Sequence, residues 1–101
     1  MARIYVLGNA DAVLGFSLVG IEGHATIDPA DAAAHLEELR WAGDVGLILV
    51  TEEVADLLRS QIAELLADPS APLVLEVPDP GSVPELGKLA DALKRAMGIP
   101  L

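Results

Sequence analysis

Short apolar runs alternate with helix-forming segments four times along this chain, and that order admits few folds. Ile4–Leu7, Val45–Val50 and Leu73–Val77 read as buried strands, with a weaker strand near Ala25–Ile27. Continuous Val/Ile/Leu runs between amphipathic helices specify a parallel sheet covered on both faces. Right-handed crossovers then restrict the topology. The expected fold class is α/β: a small four-stranded parallel sheet in order 2-1-3-4, with helices on both faces, a flavodoxin-like or Rossmann-like sandwich. A single domain over residues 1–101 is expected.

The helices carry their own punctuation. The first, expected over Ala12–Val19, follows Gly8-Asn9-Ala10-Asp11, where Asn9 or Asp11 supplies a cap. Val13, Leu14, Phe16, Leu18, Val19 and Ile21 surround Ser17 with apolar groups. A helix apolar all round is buried or lies at an interface. The second starts with Asp28 as N-cap, Pro29 in the first turn and Asp31 beside the positive end of the dipole. Ala32, Leu36 and Leu39 mark its inner face, and Gly43 ends it. Trp41 falls away from that face, either folded over the sheet rim or exposed as an aromatic anchor for a partner.

Thr51 is expected to cap the third helix, whose stripe is Val54, Leu58, Ile62 and Leu65. Asp68-Pro69 stops it, while Pro72 and Pro78 bracket the last strand. A fourth helix begins near Pro84, carries Leu86, Leu89, Leu93 and Met97, and ends at Gly98 and Pro100. Residues 84–101 are read as a C-terminal helix that is mobile or docks on a partner.

Composition excludes several chemistries. The chain has no cysteine, so disulfides, zinc–thiolate sites and thiol nucleophiles are impossible. Its hydrophobic share is 52%, yet no apolar run nears the ~18 residues that span a bilayer. Met1-Ala2-Arg3 leads straight into a strand, so no signal peptide and a cytoplasmic location are expected. Net charge is −10, which disfavours nucleic acid as a partner. The charge is uneven. From Pro84 onward three bases face two acids, whereas the preceding residues hold fourteen acids and three bases. Lys94 and Arg95 therefore either complement the last helix dipole or dock on a partner.

In a doubly wound sheet, ligands bind at the carboxyl ends of the strands where the order reverses. That rim carries Gly8, Asn9, Asp11, Thr51, Pro78 and Asp79. Gly8 and Gly15 do not make the G-x-G-x-x-G spacing of a dinucleotide site, and there is no P-loop. A flavin would find only Tyr5, Phe16 and Trp41 for stacking. A receiver-type phosphoacceptor site would need an aspartate at position 51 and a lysine on the last strand; both are missing. Asp11 reads better as a cap. His24 and His35 lie eleven apart on different elements, and metal binding needs a close donor cluster. His35 is expected to be solvated. Glu37/Glu38 and Glu52/Glu53 read as solvated helix surface. No catalytic, cofactor or metal site is expected.

With those residues in view, a family likeness emerges. Asp11 to Ile21 resembles the D-x-x-x-G-F-x-L-x-G-[IV] segment of the F subunit of V/A-type ATPases. Val45–Thr51 with Glu52–Leu65 resembles that family's third strand and helix, and Pro72–Pro78 its P-x-[IVL]-[IVL]-x-[IVL]-P strand. Leu93–Leu101 is similar to its basic tail. Gly8-Asn9 and the stretch between Pro78 and Pro84 depart from the pattern. The resemblance implies a non-catalytic central-stalk (rotor) subunit, in the soluble sector of a rotary ATPase. It would bind the coiled coil of the D subunit, contact the A and B subunits of the head through its last helix, and influence coupling of ATP synthesis or hydrolysis to ion transport. It would insert in no membrane. The expected interface residues are Phe16, Trp41, Leu89, Leu93, Lys94, Arg95, Met97 and Ile99. The competing reading is a degenerate receiver-like or small-ligand-binding α/β domain.

Overall fold

The computed structural model describes residues 2–78 together with residues 92 and 95. The elements run β1 (Arg3–Gly8), α1 (Ala10–Ser17), β2 (Glu22–Ala25), α2 (Pro29–Trp41), β3 (Val45–Thr51), α3 (Glu52–Leu57), α4 (Arg59–Ala67) and β4 (Leu73–Val77). The sheet is four-stranded in order β2-β1-β3-β4, and every pair is parallel. This is the expected α/β class and strand order.

Alternating strand residues build two cores. Tyr5, Leu7, Ile48, Val50 and Val74 face α2, α3 and α4. Ile4, Val6, Leu47, Leu49 and Val77 lie on the other face, where Ala12 and Phe16 of α1 pack. The connection β1–α1–β2 moves one way across the sheet and the later connections move the other. With right-handed crossovers, opposite directions require opposite faces. The reversal falls between β1 and β3.

One irregularity sets the parity of β3. Arg3 stands opposite Val45 but Ile4 stands opposite Leu47, so Gly46 is an extra residue, a bulge. The bulge turns Val45 to the same side as Ile48 and Val50. An added Cβ on Gly46 would lie 2.5 Å from Ala2 Cβ, so the bulge also admits the incoming chain.

Local signals explain most helix ends. Asn9 accepts from the Ala12 amide at 2.9 Å, so Asn9, not Asp11, caps α1. Asp28 accepts from the Asp31 amide at 2.9 Å, with Pro29 opening α2. Gly43 follows α2 at φ +84, a left-handed conformation that glycine adopts without strain.

Four expectations shift. The first helix runs Ala10–Ser17, not Ala12–Val19, because Asn9 caps it. The second strand lies at Glu22–Ala25, earlier than Ala25–Ile27, because β2 pairs with β1 through Tyr5↔Glu22 to Gly8↔Ala25. The helix after β3 breaks at Leu58 (φ −123, ψ 23), although the Val54–Leu58–Ile62–Leu65 stripe stays buried throughout. Thr51 precedes α3 but makes no side-chain cap, since its hydroxyl is buried beside Gly8. The expected helix from Pro84 and the turn from Asp79 to Ser82 lie outside the described residues.

Candidate partner-binding surface and strand-end rim

Among the described residues, the carboxyl-end rim between β1 and β3 is filled by the chain's own side chains. Gly8 and Thr51 stand side by side, one place beyond the Leu7↔Val50 pair. A methyl on Gly8 would approach Thr51 Cγ2 to 2.5 Å. Thr51 is wholly buried, and among the described residues its Oγ1 has no hydrogen-bond partner. Asn9 turns its side chain to the α1 amide. The glycine at this rim thus admits a neighbouring side chain, where a phosphate loop would leave room for a ligand. Asp79, the other expected rim residue, lies outside the described residues.

The body's positive charge is paired internally. Arg3 donates to Glu22 at 2.7 Å and to Asp44 at 2.8 Å. Arg59 donates to Glu76 at 2.7 Å and Asp56 at 2.6 Å. Arg40 reaches Asp68 at 3.3 Å and Glu64 at 3.8 Å. These are the three bases that precede Lys88. The arginine hydrogen bonds hold Asp44 and Glu76 below the usual carboxylate range. Asp68 is lowered too, mainly by hydrogen bonds from Ser70. The net surplus of this surface is acidic, so a complementary partner brings positive charge.

The two aromatic interface candidates separate. Trp41 is 68% exposed at the end of α2. Its Nε1 donates to Glu37 Oε1 at 2.6 Å, and the Arg40 guanidinium carbon lies 5.0 Å from the ring centroid. These contacts hold an exposed indole in place. Phe16 has no exposed surface and sits in the α1-side core. Its expected contact with a partner is therefore corrected: Ala12, Gly15 and Phe16 form the buried face of α1. The outer face carries Leu14 and Leu18, 55% and 66% exposed and one helical turn apart. The apolar encirclement of Ser17 in sequence signalled these two residues, but not which side each would take. Arg95 is exposed; Leu89, Leu93, Lys94, Met97 and Ile99 lie outside the described residues.

The histidines differ most from expectation. His24 of β2 and His35 of α2 stack with ring centroids 3.5 Å apart and planes within 8°. His24 Nε2 is 2.7 Å from Asp31 Oδ2, and that hydrogen bond is the leading cause of the lowered Asp31 pKa. His35 Nδ1 is 3.6 Å from Asp31 Oδ1. The i,i+4 spacing of Asp31 and His35 was visible in the sequence; the arrival of His24 from β2 was not.

Comparison with known proteins settles the family. The family model described as ATP synthase (F/14-kDa) subunit matches residues 4–96. The chain is 35% identical to the F subunit of the A-type ATP synthase of Methanothermobacter thermautotrophicus, covering 97% of this chain and 94% of that protein. It is 34% identical to the F subunit of the Pyrococcus furiosus enzyme, with 98% and 97% covered. The F subunit of the Thermococcus kodakarensis enzyme is 37% identical over the same shares. Among the described residues no helix is long and apolar enough to cross a membrane. On a match that runs nearly end to end, the chain belongs to the family of ATP synthase (F/14-kDa) subunits, that of the F subunits of A-type ATP synthases.

Proposed function

We propose that this chain is a non-catalytic rotor subunit of the central stalk, which grips the coiled coil of the D subunit. The single observation that carries this reading is the outer stripe of α1. Leu14 and Leu18 are exposed at a spacing that fits ridges of a partner helix. The indole of Trp41 provides a second apolar anchor of the kind enriched at binding hot spots. A clip of this kind needs a stiff body, and a parallel sheet packed on both faces supplies one. In this reading the protein works in the cytoplasmic soluble sector. Residues 84–101 reach the A and B subunits of the head and affect how ATP synthesis or hydrolysis is coupled to ion transport. Bond-making stays in the head.

Coexpression with the D subunit tests the reading. A stable complex on size-exclusion chromatography is expected, weakened about tenfold or more by Leu14→Asp with Leu18→Asp. Full affinity in that variant, with its fold intact by circular dichroism, overturns the assignment of the stripe. A nucleotide or flavin that raises the melting temperature of the isolated chain supports the small-ligand alternative instead.

A further inference from the structure

We propose that His24, Asp31 and His35 form a binding site for one zinc-class divalent cation. The three side chains come from two elements: His24 from edge strand β2, Asp31 and His35 from successive turns of α2. One donor atom from each lies within 4.8 Å of the others. A tetrahedral ion with ligands at about 2.0–2.2 Å needs them somewhat closer, at just over ~3 Å. His24 Nε2 and Asp31 Oδ2 are hydrogen-bonded at 2.7 Å and would open slightly to admit an ion, while His35 Nδ1 lies 3.6 Å from Asp31 Oδ1 and 3.2 Å from the Asp31 carbonyl oxygen. The two imidazoles are stacked with planes within 8°, so binding one ion requires them to rotate out of the stack until both ring planes meet at the ion. The side chains are 31%, 42% and 27% exposed, so their outer flanks are open to solvent and an ion can reach them.

The donor set selects the ion. Two imidazole nitrogens and one carboxylate oxygen suit Zn²⁺, Ni²⁺, Co²⁺ or Cu²⁺. Mg²⁺ and Ca²⁺ prefer oxygen ligands throughout. Three protein ligands leave a fourth position for water or for a side chain of a neighbouring protein. Aspartate and histidine at i,i+4 give a helix two donors on one face without distortion. The third donor then ties the outermost strand to the first turns of α2. The ion would fasten β2, the shortest strand among the described residues, which is exposed or half-buried along its length.

The test uses the full chain and the metal alone. Chelator-stripped protein is titrated with ZnCl₂ by calorimetry, with MgCl₂ and CaCl₂ as controls. A single saturable site with one Zn²⁺ per chain is expected. Affinity falls at least about tenfold in His24→Gln, His35→Gln and Asp31→Asn. The wild-type chain gives a readout that no variant can confuse. It has only two histidines, and both imidazole resonances shift together as the first equivalent of Zn²⁺ binds. No saturable binding overturns the proposal. So does undiminished affinity in the His24→Gln/His35→Gln double variant, or imidazole resonances that stay put at saturation.

Discussion

Gly8 and Thr51 meet at the carboxyl ends of the two central strands so closely that a methyl on Gly8 would stand 2.5 Å from Thr51 Cγ2 and 3.0 Å from its Oγ1. Thr51 is wholly buried, so the clash is not relieved by turning the side chain into solvent. Gly8→Ala is expected to destabilise the fold by about 1–3 kcal/mol through overpacking. Thr51→Ser removes the clashing methyl, so the double variant should lose less than the two single losses combined, with a coupling of at least about 0.5 kcal/mol. Urea unfolding measures each corner of the cycle. Additive losses would show that the two residues do not press on one another.

Phe16 and Trp41 are expected to respond oppositely to truncation. Phe16→Ala empties the α1-side core and should cost about 3–5 kcal/mol of stability. Trp41→Ala alters an exposed side chain and should change stability by about 0.5 kcal/mol or less, while weakening the proposed complex with the D subunit. Chemical denaturation and a binding titration on the same two variants separate packing from docking.

Gly43 is a test of backbone conformation alone. Nothing lies within 4 Å of an added Cβ, but φ is +84. Gly43→Ala should therefore cost about 1–2 kcal/mol through the left-handed backbone. Gly43→Asn should cost less, because asparagine tolerates that region. Thermal unfolding of both variants ranks them; equal losses would point to some other cause.

The arginine pairs make stability fall in acid. Asp44 and Glu76 have folded-state pKa values lowered mainly by hydrogen bonds from Arg3 and Arg59. A lowered folded pKa means the unfolded chain takes up the proton first. The stabilisation is therefore complete above the ordinary carboxylate range and is lost as pH falls through the folded values. Melting temperature should decline from about pH 6 toward about pH 3, and Arg59→Gln should flatten part of that decline. These pairs are exposed, so raising the salt should reduce the difference between variant and wild type.

Much of this architecture is legible along the chain. The Val45–Val50 run marks a central strand because a fully buried strand must be apolar on both faces. Asp28-Pro29 and Gly43 mark α2 because caps act through their nearest backbone neighbours. The Val54, Leu58, Ile62 and Leu65 stripe is equally plain, yet it hides the break at Leu58, since both short helices keep the same buried side. For Thr51, local chemistry suggested a cap, but burial beside Gly8 places the hydroxyl elsewhere. The surface of α1 was legible as apolar, not as divided between a buried Phe16 and an exposed Leu14 and Leu18.

Class, strand order and the ends of α2 follow from residue patterns alone, because periodicity and capping act over a few neighbouring positions. Which distant side chains touch was decided only by the packed sheet. Strand register sets Gly8 against Thr51. The packing of α2 across the sheet carries His35 onto His24, eleven places away and on another element. No local spacing encodes those meetings, since they depend on how whole elements lie against one another.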